Sequence, residues 1–240
     1  MLINEDNKSD EAQRIKAERY YEGIKKFLDD NKDALLDNPK EFEYKNIIQK
    51  KDNDYFLFPE NMKTMELSFP NLILLFKNKS FDTSIKDAKA KAGFGTVGKY
   101  KVIILSGILY NEDTPFAFIN TRFSGYKNLF IHEMIHYLDE RYKLSHKFKK
   151  KQDSQKFSSY KDYLNSPLES NAHYQEFTSK LNSLLKNKKL SDTITSWDEY
   201  FYLAQITHKE LFQFLRKKYK RQFIKRLYAN YEQLKKDGII

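Results

Sequence analysis

Apolar residues recur at helical spacing near the start of the chain. Ile15, Tyr20, Ile24 and Phe27 approximate a period of 3.6 residues, which predicts an amphipathic helix over about residues 10–30. A shorter helix is predicted over residues 42–50. We therefore expect the N-terminal part of the chain to be helical.

The middle of the chain changes to short apolar runs bounded by turn residues, a pattern that predicts strands. Strands are expected over residues 67–77, which contain NLILLF, over residues 100–105, which contain KVIIL, and over residues 114–118 at a sheet edge. A helix is expected over residues 82–92. Residues 93–98 match G-x-G-x-x-G literally, but a dinucleotide site needs a strand before this pattern and a helix after it. We interpret them as a turn leading into the sheet.

Helical spacing returns in the second half of the chain. Ser124 is the expected N-cap of one helix, Pro167 suits the first turn of a helix that continues to about residue 185, and Ser196 is expected to cap a third. Residues 209–236 predict a long basic helix. Its apolar stripe would face a protein core and comprises Leu211, Leu215, Phe223, Leu227, Tyr231 and Leu234.

Helices followed by a small sheet and then by more helices predict the α+β class. The expected division is a helical N-terminal extension over residues 1–60, a central domain over residues 61–190, and a basic helical region over residues 191–240 that packs on the central domain.

The composition narrows the chemistry that the chain can perform. It has 240 residues and no Cys, which excludes disulfides, thiolate metal sites and cysteine nucleophiles. A zinc ion would have to be bound by His and carboxylate side chains. No apolar segment resembles a signal peptide, and the longest apolar runs, residues 71–76 and 102–110, are too short to span a bilayer. We expect a cytoplasmic protein without a membrane span.

The net charge of +10 is unevenly distributed. Residues 143–161 contain seven Lys and one Asp, and residues 209–240 contain ten Lys or Arg and three acidic residues. Such regions indicate an anionic partner, and nucleic acid is the expected partner for residues 143–161 and 209–236. The alternative is a solvated face that keeps the protein soluble.

The strongest candidate for chemistry is the segment HEMIH, formed by His132, Glu133 and His136 with two residues between the last two. Residues four apart lie on one face of a helix, so both imidazoles can reach one ion. Zinc lowers the pKa of a bound water to about 7, and a carboxylate one position along the helix can take the proton of that water. The spacing therefore predicts a zinc hydrolase in which Glu133 is the general base.

A third ligand is needed, and two candidates follow the motif. The metzincin pattern fails, because Asp139 stands where it requires Gly and Tyr142 where it requires the third His. Glu169 lies 33 residues after the second His of the motif, at the start of a predicted helix, and would complete a His₂Glu site. His173 is one helical turn further on and is the alternative ligand, or a donor to a substrate oxyanion.

The segments HEMIHYLD and PLESNA resemble the HExxHxxD…ExxA pattern of the gluzincin branch of the zincins, as found in lethal-factor-like and phage-type metallopeptidases. The resemblance covers about residues 99–177. It implies one zinc ion per chain, the ligands His132, His136 and Glu169, and Glu133 as general base. It also implies a zincin-like fold, with a small mixed sheet, the motif helix, and helical N- and C-terminal extensions.

Other positions match the family less fully. Asp139 corresponds to an Asp that supports the motif helix, and Ala172 to a small residue that lets two helices pack closely. Family members often have a Tyr shortly before the third ligand that stabilises the oxyanion, and Tyr160 and Tyr163 both lie there. The sequence departs from the thermolysin-like pattern at the residue before Glu169 and four residues after it, where Leu and His stand in place of Asn and Asp.

The sequence thus predicts a zinc metallopeptidase that acts on a polypeptide, and an endopeptidase rather than an exopeptidase. Two alternatives remain open. One is a basic protein associated with nucleic acid, and the other is an inactive zincin fold that serves as an interaction module.

Overall fold

The computed structural model describes residues 3–51, 54–62, 69, 71–77, 81–82, 89–108, 119–141 and 159–240. The chain forms two compact units. Unit 1 comprises Met1–Arg14 and Ser145–Ile240, and unit 2 comprises Ile15–Leu144.

Three helices begin the chain: α1 (Ile3–Asp30), α2 (Lys32–Asp37) and α3 (Pro39–Tyr44). The predicted helix over residues 42–50 is wrong beyond Tyr44. Asn46 has a φ of 52°, a left-handed conformation that ends the helical path and reverses the chain. The residues that follow then pair with a neighbouring strand instead of continuing the helix.

Unit 2 contains a five-stranded sheet with the strand order β1-β2-β3-β7-β6. β3 and β7 are parallel, and the other neighbouring pairs are antiparallel, so the sheet is mixed. A separate two-stranded ribbon joins β4 to β5. The strands are β1 (Ile48–Lys51), β2 (Asp54–Leu57), β3 (Leu72–Lys77), β4 (Phe81–Asp82), β5 (Lys89–Ala90), β6 (Ala92–Val97) and β7 (Tyr100–Ser106).

The expected strands at 67–77 and 100–105 are confirmed as β3 and β7 over the described residues. The glycine-rich residues 93–98 are not a turn, because β6 pairs along its whole length with β7 and only Gly98, with a φ of 59°, turns the chain. A helix over residues 82–92 is wrong at its C-terminal end, where β5 and β6 form. Residues 83–88, which are the rest of that predicted helix, lie outside the described residues. The strand expected over residues 114–118 also lies outside them.

Helical structure before the motif begins earlier in the chain than expected, although the motif helix itself begins later. α4 (Ile119–Phe123) leads through a 3-10 turn at Ser124–Tyr126 into α5 (Lys127–Arg141). Ser124 is therefore not an N-cap, because the flanking Phe123 and Lys127 both have right-handed helical dihedrals and the chain is already helical there.

The second half of unit 1 is helical. Its elements are α6 (Tyr160–Leu164), α7 (Pro167–Leu185), α8 (Lys188–Ser191), α9 (Trp197–Thr207), α10 (Lys209–Phe214) and α11 (Lys217–Lys236). Pro167 begins α7 as predicted, with Ser166 as its N-cap. Ser196 caps α9 as predicted and forms a reciprocal capping box with Glu199.

The long helix predicted over residues 209–236 is two helices separated by an extended Leu215. Asn165 explains the break. Its Nδ2 donates to the Phe214 carbonyl at 3.0 Å, and its Oδ1 accepts from the Arg216 amide at 2.6 Å. These bonds satisfy backbone groups that an unbroken helix would pair internally, so the break is stable.

Each unit has its own apolar core. In unit 2, Phe123 and Phe130 are fully buried and pack against the rings of Tyr20 and Tyr21. In unit 1 the whole apolar stripe predicted for residues 209–236 is buried, as expected.

The described residues form an α+β protein. The division at residues 60 and 190 stays a prediction. None of the helices in the described part of the chain combines the length and apolar character that crossing a bilayer requires.

The aromatic core of unit 2 generates a stability prediction. We expect Phe130→Ala to lower the free energy of unfolding by about 3–5 kcal/mol, because it removes a fully buried ring and leaves a cavity. Urea unfolding followed by circular dichroism measures this. Tyr44→Ala is the matched control, since Tyr44 is 89% exposed, and we expect it to change the free energy by no more than about 0.5 kcal/mol. Equal losses in the two variants would contradict the described core.

Candidate metal centre

The two motif histidines converge on one point beside α5. Their Nε2 atoms are 3.2 Å apart, and their ring centroids are 4.9 Å apart. Two nitrogens that each lie about 2.0–2.1 Å from a tetrahedral zinc ion would be about 3.3 Å apart. Without a metal, the same separation lets one imidazole donate an N–H to the other, and binding a metal would replace that proton.

The position of α5 is set by apolar burial on the rest of the helix. The apolar residues within and beside the motif have no exposed surface and pack in the core of unit 2; they are Phe130, Ile131, Met134, Ile135 and Leu138. α5 packs on β6 and β7, and the Tyr137 ring meets Phe94 of β6 edge to face at 6.2 Å. The helix therefore has little freedom to rotate about its axis, and the direction of both imidazoles is fixed.

Polar contacts anchor the start of the motif helix to the end of β7. The Tyr126 hydroxyl donates to the Ser106 carbonyl at 2.7 Å, and Arg122 Nη1 donates to the Gly107 carbonyl at 2.9 Å. Since these side chains bond to backbone, they serve to position α5. No sequence pattern indicated this role.

The motif side chains are mostly shielded from water. His132 is 4% exposed, Glu133 7% and Asp139 5%, while His136 is partly exposed. A buried carboxylate lowers the stability of the folded state unless hydrogen bonds or opposite charges compensate its burial. The role of Asp139 in supporting the helix stays a prediction.

In unit 1, Glu169 lies in the first turn of α7, where the helix dipole favours a carboxylate. Its amide donates to the Ser166 hydroxyl at 3.3 Å. The Ser166 amide donates to the Tyr163 carbonyl at 3.0 Å. This differs from α9, where the carboxylate of Glu199 accepts from the amide of its own N-cap.

The other candidate site residues of unit 1 lie on α6 and on the next turns of α7. The rings of Tyr160 and Tyr163 stack at 6.1 Å, and Tyr163 meets His173 edge to face at 5.7 Å. His173 Nδ1 is 3.4 Å from a carboxylate oxygen of Glu176. Partial burial, with the charges of Glu210, Glu176 and Glu169, raises the pKa of Tyr160 above its ordinary value. A phenol is protonated at neutral pH even without such a shift, so it can donate a hydrogen bond.

Asn165 is the residue that sequence reasoning missed. It is 5% exposed and joins the α6–α7 corner to the α10–α11 break through the bonds described above. It immediately precedes the cap of the helix that carries Glu169, so it helps to fix where that helix begins. An Asn before Ser-Pro is typical of any turn, and its distant partners were not predictable.

The described residues include histidine and carboxylate side chains that could hold a metal ion: His132 and His136 in unit 2, and Glu169, His173 and Glu176 in unit 1. The donor chemistry fits zinc, which accepts imidazole nitrogen and carboxylate oxygen. His146, the histidine nearest to the motif in the sequence, and most of the basic region 143–161 lie outside the described residues. Comparison with protein-family models, curated proteins and solved structures gave no match.

His208, between α9 and α10, generates a pH prediction. Its ring lies 5.2 Å from that of Phe177, and burial lowers the pKa of the imidazole below its ordinary 6.5, with Glu176 opposing the shift. A folded state that resists protonation loses stability as the pH falls below 6.5. We expect His208→Gln to be less sensitive to acid in urea unfolding between about pH 8 and 5. Identical pH profiles for the two proteins would contradict this.

Proposed function

We propose that this chain is a zinc-dependent metallopeptidase with a zincin-like fold, and that it hydrolyses internal peptide bonds of a polypeptide. The observation that carries the proposal is the 3.2 Å separation of the two motif Nε2 atoms, which matches the spacing that a tetrahedral zinc ion needs. His132 and His136 would be two ligands. One zinc ion per chain is expected.

Glu169 is the proposed third ligand. Two observations in unit 1 support it: the residue is in the first turn of a capped helix, and it is only partly exposed. His173 remains the alternative, because its Nδ1 and the Glu176 carboxylate form a second pair of donor groups one to two turns further along α7.

The bound zinc ion would supply Lewis acidity, which acidifies water and polarises the substrate carbonyl. Glu133 is the proposed general base. It follows the first ligand by one residue, about 100° around the helix, so it approaches the same region without itself being a ligand. Its carboxylate would take a proton from the attacking water and later deliver it to the leaving amine. Tyr160, Tyr163 and His173 are the candidate donors to the oxyanion.

The sheet offers a place for an extended peptide. Among the described strands β6 is at the edge, paired only with β7, and it packs on the motif helix. An edge strand presents a row of backbone N–H and C=O groups that can pair with another extended chain. A substrate bound in this way has chain on both sides of the scissile bond, which supports the proposal of an endopeptidase.

We expect Glu133→Gln to retain about one zinc per chain and to hydrolyse peptides about 10²–10⁴-fold more slowly, because the amide cannot accept the proton. Elemental mass spectrometry measures the zinc, and cleavage of a quenched fluorescent peptide library measures the activity. Glu43→Gln changes the same atoms at an exposed position of α3 and should behave as wild type. Unchanged turnover in Glu133→Gln would refute the proposed mechanism.

The third ligand can be assigned by comparing three substitutions on α7. We expect Glu169→Ala to lower zinc affinity by more than the roughly 10–100-fold cost of removing a residue that only supports a ligand. His173→Ala and Glu176→Ala should stay within that smaller range. Competition with a zinc-binding dye measures the affinities, and circular dichroism checks that each variant is folded. A larger loss in His173→Ala would transfer the ligand role to that residue.

A further inference from the structure

The N-terminal half of α11 carries an unusual density of positive charge. Residues 216–226 contain seven Lys or Arg and no acidic residue. Two of the seven have structural partners in unit 1. Arg216 forms an ion pair with Asp162 at 2.6 Å, and Arg226 donates to Asn171 at 2.8 Å.

The other five cations have no acidic partner among the residues that the structure describes. No carboxylate of the described residues lies within ion-pair distance of their side chains. Four of the five are exposed and follow the spacing of a single helix face. We call this face the basic stripe; it consists of Lys217, Lys218, Arg221 and Lys225.

The opposite face of α11 is apolar and is buried in the core of unit 1. Phe223, Leu227 and Tyr231 are buried in the core of unit 1, where α11 packs against α7 and α9. The helix therefore cannot turn an apolar face toward a bilayer in the way that interfacial helices do. Any partner of the basic stripe has to be recognised by charge rather than by burial of apolar surface.

An exposed aromatic ring continues the stripe. Tyr228 is three residues after Lys225, on the same face, and is 49% exposed. Its ring is held edge to face against Trp197 of α9 at 5.1 Å, so its orientation is set by the core. A fixed ring beside a row of cations is an arrangement on which nucleic-acid bases stack. The one acidic residue on this face, Glu232, is a full turn beyond the ring.

We propose that the basic stripe and Tyr228 bind the phosphodiester backbone of nucleic acid without reading its sequence. Lys217 and Lys225 are eight residues apart, or about 12 Å along the helix. Over that length one strand of a duplex presents about three or four phosphates. The charge spacing of the stripe therefore matches that of a polynucleotide, and this inference stands independently of the proposed peptidase activity.

Fluorescence anisotropy of the full chain with a labelled duplex and with the matching single strand tests the proposal. Each neutralised phosphate contributes a slope of about −0.9 to log K against log salt concentration. Simultaneous Lys217→Gln, Arg221→Gln and Lys225→Gln should reduce the steepness of that slope by about 3. The matched control changes the exposed Lys186, Lys188 and Lys189 of the same unit to Gln, which removes the same charge, and should retain most of the wild-type slope.

The role of the ring is tested separately. We expect Tyr228→Ala to weaken single-strand binding about tenfold and duplex binding less, because paired bases are not available for stacking. Tyr228→Phe keeps the ring and should bind as wild type. Equal loss of single-strand binding in Tyr228→Ala and Tyr228→Phe would exclude stacking.

Four results would overturn the proposal. Absence of binding at low salt would leave the stripe as a solvated face. Equal loss in the two triple variants would assign the binding to net charge alone. Equally tight binding to anionic lipid vesicles would indicate a membrane surface, and equally effective competition by polyglutamate would indicate an acidic protein.

Discussion

The structure depends on burying the apolar residues of the motif helix so completely that the two imidazoles can point in only one direction. α5 presents two imidazoles and a carboxylate within five residues, a polar cluster that water would otherwise solvate and disorder. The apolar residues between and around them are fully buried against the sheet, and that burial fixes the rotation of the helix. The core of unit 2 therefore fixes the geometry of the motif side chains.

The sheet also helps to position the motif helix. The parallel pairing of β3 with β7 places β7 beneath α5, and β6 then adds to the outer side of β7 as an edge strand. Backbone carbonyls at the end of β7 accept from Tyr126 and Arg122, so the strand that supports the helix also fixes where it starts. One strand thus connects the motif helix with β6, which is the edge strand among the described residues.

In unit 1, apolar and charged side chains lie on opposite faces of the same helices. Its helices pack aromatic rings inward and place cations outward, so that the core and the basic surface are two sides of the same helix, α11. Asn165 makes this possible, because it ends α10 before α11 begins and gives α11 its own direction. The same residue stands at the corner before the helix of Glu169, so one amide side chain influences both the candidate ligand and the basic stripe.

The sequence by itself determined the features that depend on neighbours in the chain. These include the helix start at Pro167, the cap at Ser196, the buried stripe of residues 209–236 and the four-residue spacing of the motif histidines. Each follows from helix geometry or from a hydrogen bond over a few residues. The α+β class was equally predictable, since it needs only the order of elements.

The tertiary structure decided what depends on distant partners. Residues 48–51 and 92–97 are strands because other strands pair with them, and a glycine-rich segment carries no such information in its own sequence. The predicted long helix divides at Leu215 because Asn165, some 50 residues earlier, bonds to the backbone on both sides. The 3.2 Å separation of the two Nε2 atoms likewise depends on the packed core. The four-residue spacing places both histidines on one face of the helix. The residues packed around the helix then decide the direction in which each imidazole points.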